Sequence, residues 1–381
     1  MQLPTPCHII DLDRLKYNLD NPIFKLRKEV DCKILLALKG FSSLAILPYM
    51  VDKLDGFCAS GLFEAKLGRE YTKNLISTFS PVYSKKQFFQ ILNYSDIVIF
   101  NSMQHFLLHH SAMQGHSCSC GLRINPEYSE LPITSGVNPC APESHLGVRK
   151  ADMPFLNLFV PGYIEGIHLH TMCAQDSNTL ERTINHMEKK FGAYLERICW
   201  LNLGGGQLLA DPNYNIEHAI SVIKRLKQKY SFEILLEPCE GIVTGCGYYV
   251  STVLDIIDNQ MKIAILDGSA ICHIPDCIYR GWRRDILGAL DVTDGKSNAK
   301  YPYQYRIAGS SCYAGDIFGI YAFKEPLKVG DQIIFSDTAS YTMVKASMFN
   351  GIPFPSLAVY SKKEGLSIMA QYDYSCFHQI L

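Results

Sequence analysis

The feature that most restricts what this chain can fold into is a repeated alternation of short β-rich runs with helical stretches up to about residue 240. Runs at 33–39 (KILLALK), 54–60 (LDGFCAS), 75–80 (LISTFS) and 96–100 (DIVIF) have strand composition, as do 119–125 (SCGLRIN), 164–170 (IEGIHLH), 198–203 (ICWLNL) and 233–238 (EILLEP). Between most of them, charged and apolar residues recur at helical spacing, at 63–71, 84–93, 176–196 and 215–228. Such alternation implies parallel strands with right-handed crossovers. Eight consecutive units favour closure into a (β/α)8 barrel over an open doubly wound sheet, which would also alternate.

After about residue 245 the rhythm changes. Segments 248–257, 261–266, 303–308, 332–335 and 357–360 read as strands separated by Gly, Pro and Asp turns, without long helices. The expectation is a barrel over 13–245 and a mainly β domain over 246–381, joined by a strand from 1–12.

Composition excludes several classes of function. The 381 residues are 48% hydrophobic and 19% charged, with a formal net charge of −1, which suits a folded globular chain and leaves no basic footprint for nucleic acid. No apolar run approaches the ~20 residues that span a bilayer. The opening MQLPTPCHIIDLDRL has no basic segment followed by an apolar one, so a cytoplasmic location is expected. The 14 cysteines are scattered without CxxC spacing, and most are expected to be reduced and buried.

Active sites of such barrels lie at the C-terminal strand ends. Here those ends supply Lys39, Ser60, Asn125, His170, the run Gly204-Gly205-Gly206, and Glu237. A lysine ending LLALK would be partly desolvated at the barrel mouth, which suits Schiff-base chemistry. The glycine run follows the seventh strand, the usual phosphate position, where glycines let backbone amides approach an anion. A carboxylate at Glu237 could pair with a pyridinium nitrogen. Of His168 and His170, only the residue ending the strand is expected at the site, so His170 is assigned there and His168 is read as a core histidine. Together these signals point to pyridoxal 5′-phosphate held by a lysine.

In its ordered motifs LALK, HLHTMC, LGGG, EPCEG, GSSCYAGD and ASYT, the chain resembles the fold type III, alanine racemase-like pyridoxal-phosphate decarboxylases of ornithine, arginine, diaminopimelate and carboxylated polyamines. The resemblance implies that Lys39 carries the cofactor covalently, His170 stacks on its ring, Glu237 pairs with the ring nitrogen, and Gly204, Gly205, Gly206 and Tyr341 hold the phosphate. It further implies that Cys312 acts as the proton donor across a homodimer interface, with Asp316 close by at the substrate. No metal is implied.

Gln207 departs from the histidine expected after the glycines, and Ser311 and Tyr313 alter the surroundings of Cys312. Glu240 stands where ornithine-type enzymes carry an arginine. Glu240 and Asp276 would suit a substrate with additional ammonium groups, or would pair with Arg280, Arg283 or Arg284. The expected activity is decarboxylation of carboxynorspermidine or carboxyspermidine. Diaminopimelate decarboxylation is the nearest rival, which the Arg-rich YRGWRR keeps open. A metal-dependent barrel hydrolase using His168 and His170 is a remote alternative.

Overall fold

A computed structural model describes residues 3–296 and 298–381; Met1 and Gln2, at the start of the expected 1–12 segment, lie outside the described residues. The chain forms two compact units, Asn18–Ile242 and a second made of Met1–Tyr17 with Val243–Leu381.

Strand β1 (Cys7–Asp11) belongs to the second unit. The first unit contains β2 (Lys33–Ala37), β3 (Gly56–Ala59), β4 (Leu75–Phe79), β5 (Ile97–Phe100) and β6 (Ser119–Asn125). It continues with β7 (Val148–Arg149), β8 (Gly166–Leu169), β9 (Trp200–Asn202) and β10 (Glu233–Leu236). Eight of these pair in parallel in the order β5-β4-β3-β2-β10-β9-β8-β6, and a β5–β6 pairing closes the barrel; β7 adds to the end of β6. All eight runs recognised in the sequence are strands of the barrel. Lys39 is the exception in detail, because β2 ends two residues before it.

The helices start where side chains can satisfy their first amides. Ser84, Asp176 and Asn215 accept from the backbone N–H of Gln87, Thr179 and His218, capping the helices Lys85–Ile91, Ser177–Leu195 and Ile216–Lys229. At the strand N-termini, Asp55 accepts from the Ile34 amide (2.9 Å) and from Arg27, and Asp96 does the same for the Ile76 amide (2.8 Å) with Arg69. Each carboxylate thus ties the start of one strand to its neighbour, as befits the stability face of a barrel.

Inside, Gly121, Gly166 and Trp200 stand in register on adjacent strands. A Cβ on either glycine would lie within about 2 Å of the Trp200 ring (2.1 and 2.0 Å), so the indole fills the lower barrel only because both neighbours lack side chains. Two residues further along each strand, on the same inward face, come Arg123, His168 and Asn202. The barrel therefore changes from a packed apolar layer to a polar one toward its C-terminal end.

The second unit is a β structure. Its strands are β11 (Gly247–Asn259), β12 (Met261–Leu266), β13 (Ala289–Asp291), β14 (Tyr303–Ala308), β15 (Ile317–Phe323), β16 (Gln332–Ser336), β17 (Ser356–Ser361) and β18 (Gly365–Ala370). β1 lies between β11, antiparallel, and β17, parallel. Tyr249, Tyr305, Phe318, Tyr321 and Phe335 form its aromatic core. The sequence reading missed β13, β15 and β18: β15 (IFGIYAF) is interrupted by a glycine, and the outer face of β18 is exposed, which weakens the alternation. All 14 cysteines are free and most are buried.

Candidate active site

Glu237 follows β10 at the polar end of the barrel and is 6% exposed. Its Oε1 accepts from Ser77 Oγ (3.0 Å) and Asn202 Nδ2 (2.6 Å), and His168 Nε2 lies 3.3 Å from Oε2. The Cys58 thiol is a further hydrogen-bonding neighbour. Burial alone would favour the protonated acid, but the opposing effects of His168, Asn202 and Cys58 prevail and lower its pKa to about 2. The protein thus holds a buried, ionised carboxylate with one oxygen occupied by two donors.

His170 follows β8. Its Nδ1 accepts the Gly205 amide (2.9 Å), which places the remaining proton on Nε2. Burial, Lys39 and Arg123 together push its pKa well below the usual value, so the ring is neutral. Arg123 Nη2 donates to the His170 carbonyl (2.9 Å). His168 and His170 have nearly parallel rings 6.0 Å apart. The expectation that only one faces the site is corrected here: residues two apart on a strand share a face, and both rings point to the same end of the barrel. His168 was passed over as packing.

Each member of the glycine run is needed where it stands. A Cβ would come within 2.5 Å of His170 Nδ1 at Gly204, 2.4 Å of the Glu237 carbonyl oxygen at Gly205, and 2.2 Å of the Met172 carbonyl oxygen at Gly206. Gly204 and Gly206 also have φ of 64° and 94°. The Gly204 amide is donated to Asn202 Oδ1 (2.8 Å) and the Gly205 amide to His170, so two of the three amides serve the protein itself. Gln207 is buried and directs Nε2 toward the Leu203 carbonyl (3.5 Å) and Met172 Sδ (3.9 Å). Lys39 has an exposed side chain, so this chain's packing does not supply the desolvation expected from LLALK. Asn125 anchors the next loop, donating to the Leu146 carbonyl and accepting from the Glu127 amide. Glu240 begins the short helix Glu240–Val243 and is partly buried.

In the β unit, the exposed Cys312 is tied down by its own amide, which donates to Asn350 Oδ1 (2.8 Å). Asp316 is 2% exposed. Its Oδ2 accepts from Ser269 Oγ (2.8 Å) and the Ser311 amide (3.1 Å), and its Oδ1 from the Ile271 amide (3.1 Å). Its carboxylate therefore binds the protein's own backbone and the Ser269 hydroxyl. Asp276 is also buried; Oδ1 meets Lys345 Nζ (2.6 Å) and Arg280 Nε (3.7 Å), while Oδ2 makes no hydrogen bond among the described residues. Lys345 also lies over the Tyr341 ring (5.1 Å), and Tyr341 has φ of 55°.

Residues 49–339 match the family model described as pyridoxal-dependent decarboxylase, C-terminal sheet domain. The chain belongs to this family of decarboxylases. A carboxynorspermidine/carboxyspermidine decarboxylase of Campylobacter jejuni is 34% identical, with 98% of this chain and 97% of that protein covered. A carboxyaminopropylagmatine decarboxylase of Synechocystis is 35% identical over 100% of this chain and 96% of its own length. The crystal structure of the Campylobacter jejuni carboxynorspermidine decarboxylase with norspermidine superposes with a TM-score of 0.90 at 33% identity, covering all of both chains. A diaminopimelate decarboxylase structure at 18% identity (TM-score 0.82) shares the fold.

The site suits the pyridoxal phosphate on which the family depends. An ionised carboxylate matches a protonated ring nitrogen, and the neutral His170 ring offers a face. Among the described residues no group of three or more His, Cys, Asp or Glu could hold a metal, and no helix is long and apolar enough to cross a membrane.

Proposed function

We propose that this protein is a cytoplasmic, homodimeric decarboxylase of polyamine synthesis that acts on carboxynorspermidine or carboxyspermidine. The observation that carries the reading is Glu237, a buried carboxylate kept ionised beside the neutral His170 at the barrel end where Lys39 lies. Such a carboxylate is what a protonated heterocycle requires. The named relatives support the substrate class.

Pyridoxal phosphate, when bound, supplies the sink for the electron pair left as CO₂ departs. The chain's own groups do the rest. Lys39 would anchor the cofactor and Glu237 would pair with its ring nitrogen. His170, fixed by Gly205 and Arg123, would pack on the ring. Gly206 and Tyr341 would hold the phosphate, with Gly204 and Gly205 contributing mainly clearance and alignment. Cys312, contributed across the dimer, returns a proton to the α-carbon. Glu240 and Asp276 accept ammonium groups of the substrate tail, and Asp316 holds the Cys312 loop in place.

The test is a comparison of kcat/KM for carboxynorspermidine, carboxyspermidine, carboxyaminopropylagmatine and diaminopimelate. The first two are expected to lead. Preference for diaminopimelate would remove the polyamine assignment, and preference for carboxyaminopropylagmatine would move it to a guanidinium-tailed substrate. In Glu240→Gln, kcat/KM for the preferred triamine should fall roughly ten- to a hundredfold, the loss expected for a charge-assisted hydrogen bond.

A further inference from the structure

His168 is a fully buried imidazole on the inward face of the barrel that the assigned roles do not use. It sits between two buried, opposite charges. On one side is Glu237 Oε2 at 3.3 Å; on the other is Phe79, whose ring lies 5.4 Å from the imidazole and carries the Arg123 guanidinium 4.6 Å from its centroid. Arg123 is itself 4% exposed, and its one described hydrogen bond is to the His170 carbonyl. Burial lowers the basicity of His168, Glu237 raises it, and Arg123 and Lys39 lower it again, so the ring is neutral. A neutral imidazole carries one N–H. Neither His168 nitrogen has a hydrogen-bond partner among the described residues, but Nε2 faces Glu237 Oε2 at 3.3 Å. Ser77 and Asn202 already occupy Oε1, so the His168 contact bears on where Oε2 points.

We propose that His168 is a positioning residue for Glu237: wedged against the Phe79–Arg123 stack with Nε2 3.3 Å from Oε2, it turns that oxygen toward the ring nitrogen of the cofactor. The proposal rests on the reading that Glu237 pairs with the ring nitrogen. The sequence signature is an inward-facing row, Arg123, His168 and Asn202, one per adjacent strand.

Two measurements on the whole 381-residue chain test this. The first is made without cofactor: isotope-edited infrared spectroscopy with labelled glutamate follows protonation of Glu237, using Glu237→Gln to identify its band. In His168→Phe the carboxyl band should appear at a pH at least one unit higher than in the parent, and His168→Gln, which keeps an N–H donor, should recover much of the difference. The second compares equilibrium binding of pyridoxal phosphate with that of its 1-deaza analogue, which lacks the ring nitrogen. Glu237→Gln and His168→Phe should each weaken the natural cofactor about tenfold or more and leave the deaza analogue nearly unchanged. His168→Met replaces His168→Phe if the latter does not accumulate as folded protein.

If His168→Phe weakens both ligands equally, or leaves the Glu237 titration where it is in the parent, His168 only packs and the proposal is overturned. If Glu237→Gln itself fails to distinguish the two ligands, the assignment of Glu237 falls and the proposal falls with it. The two failures are therefore separable.

Discussion

Asp316→Asn is close to isosteric and is expected to be far from silent. The wild-type carboxylate accepts from backbone amides on both oxygens, Ile271 on Oδ1 and Ser311 on Oδ2, with Ser269 Oγ also on Oδ2. An asparagine has one acceptor oxygen and one NH₂ group, so in either orientation a backbone N–H faces another donor. A serine hydroxyl can rotate to accept, but an amide cannot. Losing one hydrogen bond to a charged group and leaving a buried donor unpaired costs about 2–3 kcal/mol, and Asp316→Ala, which strands all three donors, about 3–5 kcal/mol. Because the chain has two units, a single unfolding free energy is ambiguous. Native-state hydrogen exchange on peptides covering 269–273 and 309–316 reads the loop directly. A loss of 2 kcal/mol corresponds to roughly thirtyfold faster exchange. Labelling of the exposed Cys312, in a Cys199→Ser background to remove the other exposed thiol, should change in rate as well. If exchange and labelling are unaltered while KM for the substrate rises, Asp316 contacts substrate and its role as loop anchor is wrong.

Other outcomes follow from the same geometry. Gly205→Ala places a methyl 2.4 Å from the Glu237 carbonyl, where backbone must yield; overpacking of about 1–3 kcal/mol should appear as weaker cofactor binding in a spectral titration, with unchanged affinity arguing against the loop geometry. In the β unit, burial holds His8 at about 3 and His273 at about 4. The unfolded chain takes up these protons near pH 6.5 and the folded chain does not, so stability is complete above pH 6.5 and declines as pH falls toward 4, by about 1.4 kcal/mol per pH unit for each histidine. Hydrogen exchange of β11 and β1 between pH 7 and 5, before carboxylates titrate, should show this slope, and His273→Gln should reduce it. Mixing Lys39→Ala with Cys312→Ala should restore activity that neither variant has alone, since one site of a mixed dimer would then be intact; no recovery after verified subunit exchange would remove the shared site.

The barrel was legible because each of its strands carries a run of buried apolar residues, and the intervening helices keep an apolar stripe. Eight such units leave few alternatives. Strand-end chemistry was legible for the same reason: Glu237, His170 and the glycines follow their strands directly. His168 was missed through a parity argument that should have placed it with His170, and Arg123 was missed because an arginine inside SCGLRIN gives no sign of being buried on Phe79. Asp276 and Asp316 illustrate a different limit. Such an acid reads as available for substrate, but whether a lysine 69 residues away (Lys345) claims Asp276, or Ser269 and Ile271, 47 and 45 residues away, claim Asp316, depends on tertiary placement. The same holds for the Gly204 and Gly205 amides, whose partners Asn202 and His170 come from two strands.

The central claim is a pyridoxal-phosphate enzyme anchored at Lys39. Reconstituting the protein with pyridoxal phosphate, reducing the linkage with borohydride and mapping the modified peptide by mass spectrometry tests it most directly. The account predicts one adduct, on Lys39, accompanied by loss of the visible absorbance band. An adduct on another lysine, or an unchanged band with no adduct, would contradict it.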